Sequence, residues 1–404
     1  MWIDLSPLKK NQNFRYLYLG QLISFFGTMI TLVALPYQVY ALTGSTLKVG
    51  LLGIVELGPL LLCAFVGGTL ADTVDRKKLL IYAEIAMSIG CLLLICNALL
   101  DRPSLIIIFI IAGILSGLNG LHRPSLDAIT PQLVTKDQIQ AASILANAKH
   151  MLGMIGAPAF AGICIAQLGL AWTYSIDFLT FALSIVFLFR VKYQAIIPAE
   201  NKINFKAVHE ALHYAVKKPV LLGTYLVDFV AMVSAMPNAL FPAIALSYGG
   251  TKALGWLYSA PAIGALLITL MSGWAKHVHR HGAAVGLAAM MWGTSIAMIG
   301  FMGNLLGIIV CLIFAGLADS ISGMFRMTIW NETIPSGIRG RMASLEVISY
   351  SSGPLIGNAQ AGFLASFAGV QMAVMLGGMF CVIGVIMCLA LLPGFWQYRK
   401  QDSV

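Results

Sequence analysis

The sequence predicts an all-α membrane protein with twelve transmembrane helices in two pseudo-symmetric six-helix bundles. Three observations carry this reading. Of 404 residues, 59% are hydrophobic and only 10% charged, and a mean hydropathy of +0.87 excludes a soluble globular class. The apolar residues come in runs of about 20, the length that crosses hydrocarbon as helix, and not in the shorter alternating strands of a barrel. The third observation is a repeat. Arg123 is followed by Thr130, Pro131, Ala142 and Ser143, and about half a chain later Arg326 is followed at closely matching offsets by Thr333, Pro335, Ala343 and Ser344.

A polar tail, residues 1–14, precedes spans expected over 15–43, 48–70, 78–99, 104–128, 139–167, 170–190, 219–246, 252–274, 283–302, 305–329, 341–367 and 369–392. They divide into a first bundle over 1–190, a linker over 191–218 and a second bundle over 219–404. Thr43 to Thr46 form a tight outer turn that leaves no room for an outer domain. Gly113, Ser116, Gly117 and Gly120 give the fourth span a small-residue face that lets helices approach closely. In the linker, Phe205, Val208, Ala211, Leu212 and Ala215 recur at helical spacing opposite Lys206, His209, Glu210 and His213, which predicts an amphipathic helix on the inner membrane face. Pro219 opens the next span.

The net charge of +9 does not point to nucleic acid, because of where the basic residues lie. Only Lys48, Arg102 and Lys252 fall in loops expected outside. The remaining Lys and Arg lie on the inner side or within spans, so both termini are expected in the cytoplasm, in a bacterial inner membrane. The seven cysteines all fall within spans and form no C-x-x-C pair, so they read as small core residues. The first span is too long for a signal h-region and acts as its own insertion signal. No phosphate-binding G-x-x-x-x-G-K-[ST] loop exists, which leaves an ion gradient as the energy source, or none. No cofactor, metal or enzymatic activity is expected.

Between the second and third spans, Gly68, Asp72 and Arg76 followed by Lys77 fit G-x-x-x-D-x-x-x-R-[KR], and this loop closely resembles motif A of the major facilitator superfamily. The resemblance implies the two-bundle fold with substrate bound near the midplane. In similar proteins a carboxylate at the place of Asp127 pairs with the motif A arginine, here Arg76. With Asp72 facing the N-terminus of the eleventh span, these residues would form an inner latch, which Glu346 could join. Residues 272–280 are a worn counterpart that lacks both carboxylates. Gly153, Gly156 and Pro158 resemble the helix-bending motif C of exporters in the superfamily, although Ala157 stands where that pattern has glycine; Gly353 and Pro354 are the counterpart in the second half. Three stretches (128–134, 231–245 and 333–345) look like the bacterial exporter branch that contains enterobactin (siderophore) exporters and macrolide efflux pumps. Asn97 to Leu100 favour the siderophore side.

Ionisable residues inside the spans are the candidates for chemistry, since each costs several kcal/mol unless paired, neutralised or wet. Among these are Glu56, Glu84, Asp127, Asp177, Asp228, Asp319 and Glu346. The first, fourth, seventh and tenth spans line the cavity in the fold implied by the resemblance. Asp228 and Asp319 on two of these, with Glu56 mid-span in the second, are candidates for taking and releasing a proton in antiport. Equally open is simple pairing with a buried cation such as Arg326 or Lys149. His122, Arg123, Lys149, His150 and Arg326 could give the cavity a positive field suited to an anionic solute, or could be consumed by internal salt bridges. His277, His279 and His281 read as a solvated cationic end. The expected function is a proton-coupled exporter of a siderophore-like or drug-like small molecule, working by alternating access. The rivals are a general multidrug pump, an importer and a transporter-shaped sensor that moves nothing.

Overall fold

The uninterrupted apolar runs fold as helix because only helix satisfies every backbone group within its own segment. The computed structural model describes residues 4–193, 213–335 and 338–399, with backbone alone at 65–73, 339–341, 343–345, 347 and 348. The helices are α1 (Gln12–Thr43), α2 (Thr46–Thr73), α3 (Arg76–Ala98), α4 (Leu105–Ile129), α5 (139–168), α6 (170–190), α7 (Pro219–Ala235), α8 (Gly250–Leu270), α9 (His281–Ile299), α10 (Leu305–Thr333), α11 (Arg339–Ala368) and α12 (Val370–Leu391). No strand occurs among the described residues. The expected linker helix over 205–215 falls mostly outside them.

Glycines set two of the boundaries. α5 and α6 form one helical stretch, Ile139–Arg190, broken only at Gly169 with φ 81° and ψ 175°. α11 and α12 are divided in the same way at Gly369, with φ 81° and ψ 162°. Residues with a Cβ are strained at these angles. The same reversal at matching places in the two halves is the backbone imprint of the sequence repeat.

One expected span is broken. The reading had a single helix over 219–246, but the structure ends α7 at Ala235 and resumes helix at Phe241–Tyr248. The cause is Pro237, which lacks an N–H and disfavours helical backbone at Met236 before it. Side chains cover the freed backbone groups: Asn358 Oδ1 accepts from the Ala239 N–H at 3.2 Å, and the Tyr258 hydroxyl donates to the Asn238 carbonyl at 3.2 Å.

The chain divides into two compact units. Unit 1 comprises Met1–Gly44, Val55–Ile203 and Gly250–Trp256. A buried cluster of Leu17, Leu80, Ile81, Ile129, Leu188 and Val191 packs one end of it. Asp75 caps α3 by accepting from the backbone N–H of Lys77 at 2.9 Å. The opening turns of α8 pack on α5 within this unit, and a Cβ at Gly162 would lie 2.6 Å from the Thr251 carbonyl oxygen.

Unit 2 comprises Ser45–Ile54, Asn204–Gly249 and Leu257–Val404. Here the opening turns of α2 pack on α11, and a Cβ at Gly362 would lie 2.8 Å from the Gly50 Cα. Residues 393–398 fold back on the unit. Phe395 is fully buried, its backbone lies against Gly282, and the Tyr398 hydroxyl donates to Glu332 Oε2 at 2.9 Å. Burial, followed by that bond to Glu332, holds the Tyr398 phenol above its ordinary range.

Large apolar side chains such as Ile106, Leu62, Phe367 and Leu391 are left exposed on the units' surfaces, as a lipid-facing exterior requires. Substituting Gly169 by Val should destabilise unit 1 by about 1–3 kcal/mol, the cost of a glycine-only backbone region. The midpoint of unfolding in detergent measures it, and a midpoint equal to wild type would contradict the assignment.

Candidate functional site

In unit 2, α10 places Asp319 and Arg326 two turns apart on one face, and α7 brings Asp228 to meet them. Arg326 Nη1 pairs with Asp228 Oδ1, and Arg326 Nη2 lies 3.8 Å from Asp319 Oδ1. The side chains of Arg326 and Asp228 are each 12% exposed, whereas that of Asp319 is 47% exposed. Glu346 on α11 lies within electrostatic reach of Arg326. One guanidinium therefore serves more than one carboxylate. A turn along, Trp330 Nε1 donates to Thr224 Oγ1 at 2.8 Å and stacks on Tyr225 at 5.3 Å, clamping α10 to α7. The Arg326 Nε has no hydrogen-bond partner among the described residues, so the fork is not fully saturated.

In unit 1 a cavity of about 210 Å³ opens between α1, α4 and α5, and its lining includes Tyr18, Gln21, Asp127, Thr130, Ser143 and Lys149. Arg123, Lys149 and His122 lie within electrostatic reach of Asp127. The Lys149 Nζ sits 5.9 Å from the Phe25 ring centre, within cation–π range, and His150 stacks on the same ring at 5.1 Å. Arg76, only 9% exposed, donates to the Ala128 carbonyl at 3.3 Å, a cation on the C-terminal end of α4 beside Asp127. Gly68 lies in the last turns of α2, and the side chain of Asp72 lies outside the described residues. Glu56 is half-buried on α2 and its carboxylate has no partner among the described residues, while its carbonyl accepts from Ser116.

The bending motifs act through close packing. Gly153 lies under the Phe25 ring, a Cβ at Gly156 would be 3.4 Å from Phe26, and Pro158 is buried in α5. On α11, Gly353 faces Met232 of α7, and Pro354 follows it inside the helix. The three histidines behave differently from one another. His277 and His279 are exposed, but His281 is 3% exposed and its Nδ1 lies 3.7 Å from Glu332 Oε2, so it turns inward and not to solvent. Among the described residues no group of three His, Cys, Asp or Glu is placed to hold a metal.

The sequence reading had placed Glu84 and Asp177 inside spans without giving either a site. Both prove to be centres of polar nests inside unit 1. Glu84 is fully buried; its Oε1 accepts from Gln21 Nε2 at 2.7 Å, Ser184 Oγ at 3.0 Å and Ser24 Oγ at 3.4 Å, and His122 Nε2 stands 3.4 Å away. Asp177 is 1% exposed and accepts from Thr31, from Cys91 Sγ at 3.3 Å and from Thr180 Oγ1 at 3.2 Å. Nearby, the Tyr174 hydroxyl donates to Gln38 at 2.7 Å. The available signal was the pair of two-turn spacings, Glu84 to Cys91 and Asp177 to Ser184, facing a line of polar residues on α1.

A family model described as "Transmembrane secretion effector" matches residues 3–402. Curated relatives named "Enterobactin exporter EntS" are similar over the whole length. The one from Salmonella typhi is 29% identical over 404 residues, covering 100% of this chain and 97% of the relative. The one from Escherichia coli O1:K1 / APEC is 29% identical over 392 residues, covering 96% and 94%. Among solved structures, the nucleoside transporter NupG superposes with a TM-score of 0.71 at 12% identity, covering 94% of this chain and 98% of that one. The peptide transporter POT in complex with sulfate gives 0.74 at 13%, covering 97% and 96%. These two likenesses show the fold.

Removing one member of a buried pair leaves an uncompensated charge, at a cost of about 3–5 kcal/mol, whereas removing both costs far less. Arg326→Met alone should therefore destabilise the protein more than Arg326→Met combined with Asp228→Leu. Unfolding midpoints of the two variants measure this, and purely additive losses would contradict the pairing.

Proposed function

The chain belongs to the transmembrane secretion effector family of the major facilitator superfamily, and from that premise we propose that it exports a siderophore-like, anionic small molecule across a bacterial inner membrane by proton antiport. The observation that carries the reading is the similarity along the entire chain to relatives named as enterobactin exporters. Cationic side chains within the spans (Arg123 and Lys149), with the His150 imidazole beside them, suit an anionic solute. With Asp228 and Asp319 sharing Arg326, loading a proton onto one aspartate changes which carboxylate Arg326 holds, and alternating access would exploit that exchange. Glu56, without an ionic partner among the described residues, is a second place for a proton. In this proposal Gly68, Asp72, Arg76 and Asp127 serve as the inner gate, with both termini in the cytoplasm.

A second reading, efflux of cationic drugs such as macrolides, is favoured by one feature: the Asp319 side chain is half exposed and would attract a cation. Import and a non-transporting sensor have no specific observation in their favour.

A deletion strain grown under iron limitation separates these. We expect siderophore in the medium, read by mass spectrometry, to fall at least tenfold, to recover with the wild-type gene, and not to recover with the Asp228→Asn variant expressed at equal level. Unchanged secretion with raised macrolide sensitivity would replace the first reading by the second.

A further inference from the structure

Two exposed apolar stripes of unit 1 end in a cation at the same corner. On α3, Tyr82, Ile85 and Ile89 recur at helical spacing on the outer surface, and Lys78 heads the stripe. On α6, Leu179, Leu183 and Val186 do the same and Arg190 ends it. The two helices run antiparallel along one seam, touching where Cys91 meets Asp177, where Glu84 meets Ser184, and where Lys77 Nζ donates to the Phe189 carbonyl at 3.3 Å. Lys78 and Arg190 are each the next residue along from that last contact.

These charges are not answered within the described residues. Lys77 is spent on the C-terminal end of α6, where a cation is favoured. Asp75 is spent too, since it accepts from the backbone N–H groups of Lys77 at 2.9 Å and Lys78 at 3.4 Å and so caps α3. Lys78, Arg190 and, two residues on, Lys192 are all exposed and make no ion pair among the described residues. The cluster lies where the apolar surface stops, which is the depth of lipid head groups. Tyr82, 65% exposed and one turn from Lys78, is the kind of amphipathic side chain favoured at that boundary.

We propose that this corner of unit 1 is a binding site for an anionic phospholipid, whose phosphate lies between Lys78 and Arg190 and whose acyl chains run along the exposed stripes of α3 and α6. The chemistry selects that occupant. A soluble phosphate would meet the cations but leave both apolar stripes uncovered. A zwitterionic lipid would cover the stripes but bring its own ammonium group against Lys78 and Arg190. A lipid with net negative charge satisfies both features at once, and basic clusters at the membrane surface attract such lipids. The site needs only a bilayer around the helices, so it stands whatever solute the protein carries and whichever ion drives it.

Native mass spectrometry of the full chain, purified in detergent and titrated with lipid, tests the proposal. The probes are phosphatidylglycerol, phosphatidylethanolamine with the same acyl chains, and glycerol phosphate, which has the charge without the chains. Wild type should hold phosphatidylglycerol at least about tenfold more tightly than phosphatidylethanolamine. The double variant Lys78→Gln/Arg190→Gln should lose that preference. A control with the same change in charge, Lys48→Gln/Lys252→Gln, should keep it. Equal retention of the two lipids by wild type would overturn the proposal, as would an equal loss in the control. Displacement of phosphatidylglycerol by an equal concentration of glycerol phosphate would make the ligand a free phosphate and overturn it as well. So would a lipid-free dimer that falls apart in Lys78→Gln/Arg190→Gln, which would assign the corner to a second copy of the chain.

Discussion

A charge inside hydrocarbon must be answered by the protein itself, and the interior of each unit is arranged around that demand. Unit 2 answers with a cation: Arg326 meets Asp228 and stands near Asp319. Unit 1 answers with neutral donors: hydroxyls, an amide and a thiol gather on Glu84 and Asp177. The broken α7 meets the same constraint at the backbone, where Asn358 and Tyr258 cover the groups that Pro237 leaves open. Helix position, side-chain choice and candidate chemistry all follow from where those groups find partners.

The two units keep a common backbone while their polar interiors have diverged. Gly169 and Gly369 make the same reversal, and Gly162 with Gly255 in unit 1 matches Gly362 with Gly50 in unit 2 as a close approach of two helices. Packing of this kind tolerates only glycine, so duplication preserves it. Around Arg123 and Arg326, equivalent by the sequence repeat, the surroundings differ. Arg326 is committed to aspartates, while Arg123 stands with His122, Asp127 and Lys149 near a cavity. That asymmetry fits one half managing a charge pair and the other offering a positive field beside a cavity.

Much of the fold could be read in advance because each span is a long apolar run, and periodicity is not needed to see a bilayer-length helix. The division at Gly169 was legible because Gly-Leu-Ala interrupts the run with a residue that can reverse the chain. The break at Pro237 was not: Ala, Met and Phe on either side keep the segment apolar, and only the partner side chains, far away in sequence, reveal how the break is tolerated. The site was legible in kind and not in partnership. Asp228, Asp319 and Arg326 could be singled out as costly residues, with pairing as one open outcome, but that one guanidinium meets two aspartates depends on the facing of α7 and α10. Glu84 and Asp177 were visible as acids within spans, yet their nests use Ser, Thr and Gln, which carry no signal in a hydropathy pattern. His281 misled for the opposite reason, since its basic neighbours His277, His279 and Arg280 do face outward.

The central proposal is that buried acids tie solute export to proton movement. The most direct measurement places the purified protein in sealed vesicles that hold a pH-sensitive dye and follows proton flux while enterobactin moves down its own gradient. The account predicts proton movement in the opposite direction, with both fluxes abolished in the Asp228→Asn variant. Enterobactin transport at full rate with no accompanying proton movement would contradict it.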